Sequence, residues 1–435
     1  MKNIHCFLLY TGVILIISNV TLSQSKMIHG IVVDSDNKTP LPLANIQVIN
    51  NNFGTSTNFA GEFSIAAPNL PLVFKISYVG YSPEVVSISE DDTSTILHIY
   101  LKQKPIQLSE VEIKAQDTVA INLVKKLFNK LENEQDYRYG AKAFYRQYGL
   151  GDTTYTEIIE MFFNLLAGNN GIINKVIEQG RYAMARRTAN DTTPLFSVTN
   201  LSDLSTKYFV LYQENDSFLS FLPFVKKTSV YRPIRKDIEE LYYFKLVGSY
   251  ETDGKNIAII SFVPKPGVDK PAFSGSMYID LKNLTLISIK ETLDDPRINF
   301  FPSEFRGYYR GNYVLIYKAG FDIDKQGKNK LSFLETKLTF KEYNHTNKNY
   351  ERLWTFRSLL KVFEYYDEKY FNDKRAQNEQ SDIANVKNIR YNHKFWQKYS
   401  FIINEIPIED NIRTSFISRG FYGNLFPGGI QVKGY

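Results

Sequence analysis

The chain contains very little cysteine and histidine, and both scarcities limit its chemistry. Among 435 residues there are one cysteine, Cys6, and five histidines. Cys6 lies in an N-terminal segment that we expect to be removed, so the mature chain would have no disulfide, no Cys-ligated metal and no Cys nucleophile. The histidines outside that segment (His29, His98, His345 and His393) are scattered, and none has the Glu three residues on that a zinc carboxypeptidase needs. The sequence therefore predicts neither a metal site nor a cofactor.

Known active-site patterns are missing as well. There is no Walker A loop, no G-x-S-x-G elbow, no H-E-x-x-H and no G-x-G-x-x-G. Asp294 and Asp295, before Pro296, could act as acid and base, but adjacent residues in an extended chain face opposite ways. We interpret the pair as a hydrated turn. No catalytic, cofactor-binding or metal-binding residue is predicted, which argues against an enzyme.

Charge of one sign is not in large excess. The formal net charge is +6 over 435 residues, well short of a nucleic-acid footprint. The densest basic cluster, residues 369–375, is interrupted or preceded by Asp367, Glu368 and Asp373. It is typical of a solvated face, and we expect no nucleic-acid partner.

The first residues have the pattern of an export signal. Lys2 precedes the apolar run FLLYTGVILII at positions 7–17, which is shorter than the ~20 residues that span a bilayer. Small residues around Thr21 and Ser23 predict a signal peptide at residues 1–23, cut before Gln24; a retained anchor is the alternative. Cys6 precedes the apolar core, so it does not fit a lipoprotein. We expect an exported protein, in the periplasm or associated with the outer membrane or cell surface, with peripheral membrane association possible.

Residues 24–103 are predicted to form a seven-stranded β-sandwich. Short alternating segments are separated by turn signals, as where Ala44, Ile46 and Val48 point opposite to Asn45 and Gln47. One apolar and one polar face per strand is what two packed antiparallel sheets require.

Four segments of this region resemble a known family. GIVVD (30–34), PLANI (42–46), GTSTNFAGEF (54–63) and SYVGY (77–81) are similar to the carboxypeptidase regulatory-like domain, with Asn58 in place of the commoner Asp. The resemblance implies a transthyretin-like fold that accompanies peptidases, outer-membrane nutrient receptors and surface proteins without being catalytic itself. Residues 104–116 are predicted as a linker strand, because LSEVEIKA (108–115) alternates and resembles the short strand after this domain in outer-membrane receptors. A series of membrane strands does not follow, so we do not predict a full TonB-dependent receptor.

Residues 117–435 are predicted to form an α+β domain with a large antiparallel sheet, open or curled like a half-barrel. Asp117 can cap a helix whose apolar residues repeat with helical spacing: Ala120, Leu123, Val124, Leu127, Phe128 and Leu131. Six strands are predicted at residues 244–250, 256–263, 275–281, 285–291, 308–323 and 331–343. Phe395 and Trp396 are expected to anchor the polar tail, and residues 421–423 to be flexible.

Two further segments of this domain resemble exported proteins. Residues 275–280 and 286–290 resemble the hairpin of the periplasmic lipoprotein-carrier fold, which implies acyl chains on a concave sheet face; an ordinary packed sheet is the alternative. The segment 143–147 with Glu157 and Glu160 resembles part of an uncharacterised exported bacterial family, and it implies no activity.

Three functions remain open at this point. The first is an exported, envelope-associated binding or scaffold protein without catalytic activity, whose sandwich docks a partner and whose sheet domain holds a lipid or glycan. The second is an accessory to TonB-dependent nutrient uptake, and the third is a hydrolase of carboxypeptidase-like type.

Overall fold

The computed structural model describes residues 26–42, 44–49, 54–58, 60–67, 70–78, 80–89, 96–103, 117–186, 201–213, 217–219, 228–252, 254–300, 308–344, 346, 348–372, 382–399, 408 and 410–426. The predicted signal peptide, the predicted linker strand, His345 and the end of the chain lie outside these residues. The described chain divides into two compact units, one at residues 26–103 with residue 408, and one at the described residues of 117–399 and 410–426. The predicted mainly β fold class, with a seven-stranded sandwich before an α+β domain, is confirmed.

The first unit is a two-sheet sandwich. One sheet has the order β4-β1-β7 and the other the order β3-β2-β5-β6. Buried residues of both sheets, such as Val32 and Ile99 on one and Ile46 and Phe74 on the other, share one apolar core. Alternation places every second side chain in this core, as the burial of β2 and β5 shows. The seven strands are β1 (Lys26–Asp34), β2 (Asn45–Val48), β3 (Gly54–Ser56), β4 (Glu62–Ala67), β5 (Leu72–Ser77), β6 (Glu84–Ile88) and β7 (Leu97–Leu101).

The turn before β4 depends on Asn58 and Gly61. Gly61 has φ of 76°, and a Cβ at this position would lie 2.5 Å from the carbonyl oxygen of Val32, so only glycine fits. The Asn58 Oδ1 accepts hydrogen bonds from the backbone N–H groups of Ala60 (2.9 Å) and Glu62 (2.8 Å). The side-chain oxygen of Asn58 is therefore engaged in holding the turn.

The second unit is built on one open antiparallel sheet. Its described strands follow the order β13-β14-β15-β16-β17-β18-β19-β8-β9-β10-β20. The consecutive run β13 to β19 is a meander, and β8 to β10 form a second meander that joins it where β8 pairs with β19. The strands of this unit are β8 (Arg138–Gly151), β9 (Thr154–Gly168), β10 (Gly171–Ala185), β11 (Ser217–Leu219), β12 (Thr228–Val230), β13 (Tyr242–Thr252), β14 (Lys255–Pro264), β15 (Ser274–Asp280), β16 (Thr285–Asp294), β17 (Tyr308–Ile323), β18 (Asn329–Asn344), β19 (Tyr350–Tyr366) and β20 (Phe421–Gly423).

One face of this sheet packs against helices, and we call it the α1 face. The first helix is capped by Asp117, which accepts from the N–H groups of Val119 and Ala120, as predicted. Its buried stripe belongs to the same core as Tyr145, Phe163 and Leu338 of the sheet. Leu123 is partly buried against this core, and Ile121 is an additional buried residue of the helix. The helices are α1 (Thr118–Asn133), α2 (Leu201–Thr206), α3 (Ile238–Leu241), α4 (Asp382–Asn388), α5 (His393–Lys398) and α6 (Asp410–Arg419), with a 3-10 turn at Glu368–Tyr370.

The tail wraps around β10. Val386 of α4 belongs to the core of the α1 face. Between α4 and α5, the Gln179 amide donates to the carbonyl of Arg390 (3.3 Å) and its oxygen accepts from the N–H of Asn392 (3.0 Å). After this crossing, Trp396 of α5 packs on Phe162, which points to the opposite face, called here the reverse face.

Two expectations about the second unit were incomplete or wrong. The six predicted strands agree with β13 to β18, but the sequence did not reveal that β8, β9, β10 and β19 belong to the same sheet. The expectation that residues 421–423 are flexible was wrong, because they form β20, are buried, and pair with β10.

Candidate functional site

The most distinctive polar feature of the second unit is a row of directly paired residues that crosses the reverse face. From β13 to β10 the pairs connect Lys245, Ser261, Ser276, Lys290, Lys318, Glu335, Leu359, Arg146, Glu160 and Arg181. Each of these side chains alternates with a neighbour on the α1 face, such as Ile289, Tyr317 or Leu334. The row is thus a consequence of register, with one residue contributed by each of ten strands.

Four basic residues on consecutive strands lie on this face, and we call them the basic stripe: Lys290, Lys318, Lys337 and Arg357. The first two belong to the row, whereas Lys337 and Arg357 lie two residues away from it along β18 and β19. Lys290 lies directly opposite Lys318, and Lys337 lies directly opposite Arg357. Like charges directly opposite each other are destabilising in an antiparallel pair. Glu335 is the carboxylate between them, and it accepts a 3.0 Å hydrogen bond from Arg357.

The surroundings of Lys318 and Lys337 disfavour the charged form of both lysines. Lys290 is exposed, whereas Lys318, Lys337 and Arg357 are half-buried. Desolvation lowers the pKa of Lys318, against a smaller opposite effect of Glu335. Desolvation also lowers the pKa of Lys337, helped by the positive charges of Arg357 and Lys290. An anion at this place would relieve both effects.

On β8, β9 and β10 the row consists of the buried or largely buried residues Arg146, Glu160 and Arg181. The carboxylate of Glu160 is fully buried between two arginines, with Arg146 Nη2 at 2.5 Å from Oε1 and Arg181 Nε at 2.6 Å from Oε2. Their positive charges lower the pKa of Glu160 in spite of strong desolvation. The Arg181 guanidinium lies 4.2 Å from the ring centre of Trp396. A carboxylate shared by two arginines under an aromatic cover is typical of a structural ion-pair network. The accessible part of this face is therefore the basic stripe and the residues of the row toward β13.

The α1 face is filled with side chains of the protein. Rings and aliphatic groups from the sheet, α1, α2 and the segment 208–244 form one continuous core. Within it, Arg232 Nη1 lies 2.5 Å from Glu291 Oε2, and the guanidinium lies 4.7 Å from the ring centre of Phe273 and 5.3 Å from that of Tyr317. Desolvation raises the pKa of Glu291, although Arg232 opposes this effect. This face agrees with the ordinary packed sheet that the sequence left as the alternative to an acyl-chain surface.

The residues singled out from the sequence do not assemble into one site. His29 is exposed on β1 with its Nδ1 2.8 Å from Ser64 Oγ, His98 is exposed on β7, and His393 is exposed at the start of α5. Among the described residues no three His, Cys, Asp or Glu side chains are placed to hold a metal ion.

The two carboxylate pairs noted in the sequence, Asp294 with Asp295 and Glu157 with Glu160, do not act together in the structure, because the members of each pair have different partners and surroundings. Asp295 forms a turn with Arg297, whose Nη2 lies 2.7 Å from Asp295 Oδ2, and hydrogen bonds from Arg297 lower the pKa of Asp295. Asp294 ends β16 and is exposed. Glu157 accepts from Gln147 while Glu160 binds two arginines, because residues three apart on a strand point to opposite faces. Neither pair is arranged for acid–base catalysis.

Sequence reasoning missed the basic stripe, although part of its signal was present. Lys290 follows the apolar Ile289 and Lys337 precedes the apolar Leu338, as in strands with one face more exposed than the other. Their grouping depends on the register of β16 with β17 and of β18 with β19, and no local pattern shows this.

Comparison with known proteins identifies the class of the first unit. Residues 28–113 match the CarboxypepD_reg-like domain, so the predicted resemblance is confirmed and this part of the chain is a domain of that kind. No curated protein matches the chain.

Solved structures similar to the chain are distant in sequence. A DUF1329 family protein from Desulfovibrio piger has 8% identity and a TM-score of 0.25, covering 60% of this chain and 98% of its own. A LolA superfamily protein from Nitrosomonas europaea has 9% identity and a TM-score of 0.21, covering 59% of this chain and 98% of its own. No functional conclusion is drawn from likeness at this level.

The helices give one further piece of information. None of those in the described parts of the chain has both the length and the hydrophobicity of a membrane-crossing segment.

Proposed function

We propose that the protein is an exported, envelope-associated binding protein whose second unit binds an anionic ligand at the basic stripe. The observation that carries the proposal is the pair of like-charge oppositions, Lys290 with Lys318 and Lys337 with Arg357, on adjacent strands of one sheet face. Such pairs destabilise a sheet that has nothing bound to it, and a bound anion converts the repulsion into attraction.

The half-buried position of these groups adds to the proposal. A partly desolvated cation interacts with an anion more strongly than a fully hydrated one, because the effective dielectric constant around it is lower. Lys318 and Lys337 are both in this situation, as their lowered pKa values indicate. In this proposal the first unit docks an envelope partner, as its family resemblance implies, and the predicted signal peptide delivers the chain to the periplasm or cell surface.

Binding of anionic probes to the purified mature chain tests the proposal. We expect polygalacturonate or vesicles containing phosphatidylglycerol to bind, and neutral dextran and phosphatidylcholine vesicles not to bind. Affinity should fall steeply with added salt, since exposed and half-buried charges are screened.

A matched pair of variants localises the binding. Lys290→Gln with Lys318→Gln should weaken the binding about tenfold, which corresponds to about 1.4 kcal/mol. Lys282→Gln with Lys325→Gln removes the same charge from exposed turns and should have little effect. Equal affinities of the two double variants, or no binding of any anionic probe, would contradict the proposed function. Cell fractionation tests the location: a chain recovered with residues 1–23 in the cytosol would contradict export.

A further inference from the structure

The shape of the charged row narrows the chemical class of the ligand. Adjacent strands lie about 4.8 Å apart, so the basic stripe on β16 to β19 spans roughly 15 Å across the strands. Each of the four strands presents one cation, with a step of two residues along the strand direction between Lys318, which lies opposite Glu335, and Lys337. A single small anion would reach two of these cations, whereas a chain with repeated negative charges would reach all four.

The row continues from the stripe toward β13 with small side chains. Ser276 and Ser261 occupy β15 and β14, and the next residue in the row is Lys245 on β13. Both serines are half-buried, and the Ser261 hydroxyl donates to the carbonyl of Gly275 at 3.3 Å. Because Ser261 and Ser276 are smaller than Lys245 and Lys290 on either side, they form a shallow polar depression in this face. Hydroxyl groups of a ligand can form hydrogen bonds with the serine hydroxyls there.

The other end of the row is closed. Leu359 on β19 is buried, and Arg146 beyond it is paired with Glu160. A ligand aligned with the row therefore extends from the stripe toward β13, over a distance of up to about 29 Å between β13 and β19.

The depth of the stripe favours a thin chain over a flat surface. Lys318, Lys337 and Arg357 are recessed to a half-buried level, so the plane of lipid headgroups in a bilayer meets mainly the exposed Lys290. Individual acidic groups on a flexible chain can enter between neighbouring side chains and reach the recessed cations.

On the basis of the proposed function, we infer that the ligand is an acidic oligosaccharide lying across β13 to β19, with its acidic groups on the basic stripe and its hydroxyls over Ser261 and Ser276. Two serines beside four basic residues, on one face of neighbouring strands, match a polymer that carries acidic groups and hydroxyls on every repeat. This assignment deepens the proposed function by naming the ligand class of the same site.

Oligogalacturonates of one to six units test the inference on the mature chain by calorimetry, beside oligoglutamate of equal charge and phosphatidylglycerol vesicles. Affinity should rise at least about tenfold from the monomer to the hexamer, because successive charges bind in an intramolecular manner. Lys318→Gln with Lys337→Gln should remove most of this gain, and Lys282→Gln with Lys325→Gln should leave it.

A variant that changes the shape of the site without changing its charge tests whether a long oligosaccharide lies over Ser276. Ser276→Leu should obstruct the path and weaken hexamer binding about fivefold, equal to about 1 kcal/mol, so the gain in affinity from monomer to hexamer should shrink. The thermal unfolding midpoint checks that the variant folds.

The inference is overturned if vesicles or oligoglutamate bind at the stripe and the oligogalacturonates do not, or if affinity is independent of chain length. Those results would leave the proposed anion-binding function intact. Absence of binding by every anionic probe would instead contradict the proposed function itself.

Discussion

The hydroxyl of Tyr81 donates a 2.7 Å hydrogen bond to Asp34 Oδ2, across 47 residues of sequence. Asp34 also accepts from the Gln103 amide at 2.9 Å and from the backbone N–H of Asp36 at 2.8 Å. The two family segments GIVVD and SYVGY therefore meet at one buried carboxylate, which connects the strand β1 to the turn before β6.

Acid should destabilise the first unit through Asp34. Hydrogen bonds, above all from Tyr81, lower the pKa of Asp34 from 3.8 to about 2. A carboxyl whose pKa is lower in the folded state stabilises that state fully above its unfolded pKa, and the contribution is lost as the pH falls through the folded pKa. We expect Asp34→Asn to lower the free energy of unfolding by about 2 kcal/mol at neutral pH and to flatten its pH dependence between about pH 4 and pH 2. Urea unfolding at several pH values measures this; Asp36→Asn, on the exposed turn, is the control, and identical profiles for Asp34→Asn and wild type would refute the prediction.

Removing one charge of the basic stripe should make the unliganded protein more stable. Lys337 lies opposite Arg357, and its pKa is lowered by desolvation and by neighbouring positive charges. We expect Lys337→Gln to raise the free energy of unfolding by about 0.5 kcal/mol at low salt, because a like-charge opposition disappears. Thermal unfolding with Lys325→Gln as the control measures the change. A clear loss of stability in Lys337→Gln would mean that the lysine has a structural role.

The buried pair of Arg232 and Glu291 should behave non-additively. Both side chains are almost fully buried, so removing one partner leaves an uncompensated charge. We expect Arg232→Met to cost about 3–5 kcal/mol, and addition of Glu291→Leu to restore a large part of this loss. A double-mutant cycle in urea measures the coupling. Additive losses would show that the two charges do not depend on each other.

Trp396 should account for much of the attachment of the tail. Its ring lies 5.4 Å from Phe162, stacks on Tyr391 with an interplanar angle of 8°, and carries the Arg181 guanidinium. Truncation of a buried tryptophan leaves a large cavity, so Trp396→Ala should cost about 3–5 kcal/mol. Tyr370→Ala, at an exposed tyrosine, should cost little. Limited proteolysis within residues 382–399 provides the second measurement, and unchanged protection in Trp396→Ala would count against the anchoring role.

Local sequence pattern predicted the hairpins of the second unit well. Much of β17 and β18 alternates between a buried and a more exposed face, and turns such as those near Gly254 and Gly327, both with positive φ, separate the hairpin strands. The strand β8 differs, because all but three of its residues are buried and so it has no visible period of two. The basic stripe was equally hidden, since Lys318 and Lys337 acquire their neighbours only through pairing with other strands.

The order of the strands has a consequence for how the chain matures. Each of the two meanders pairs neighbours in sequence and can form as soon as its own residues are available, but β8 must wait for β19, which begins about 200 residues later. Until then one edge of the early β8–β10 hairpins has no partner, which is the kind of exposed strand that invites aggregation. The slow step in folding of this unit should therefore be the joining of two preformed half-sheets, and a chaperone that shields β8 during that interval would raise the yield more than one that acts on the first unit.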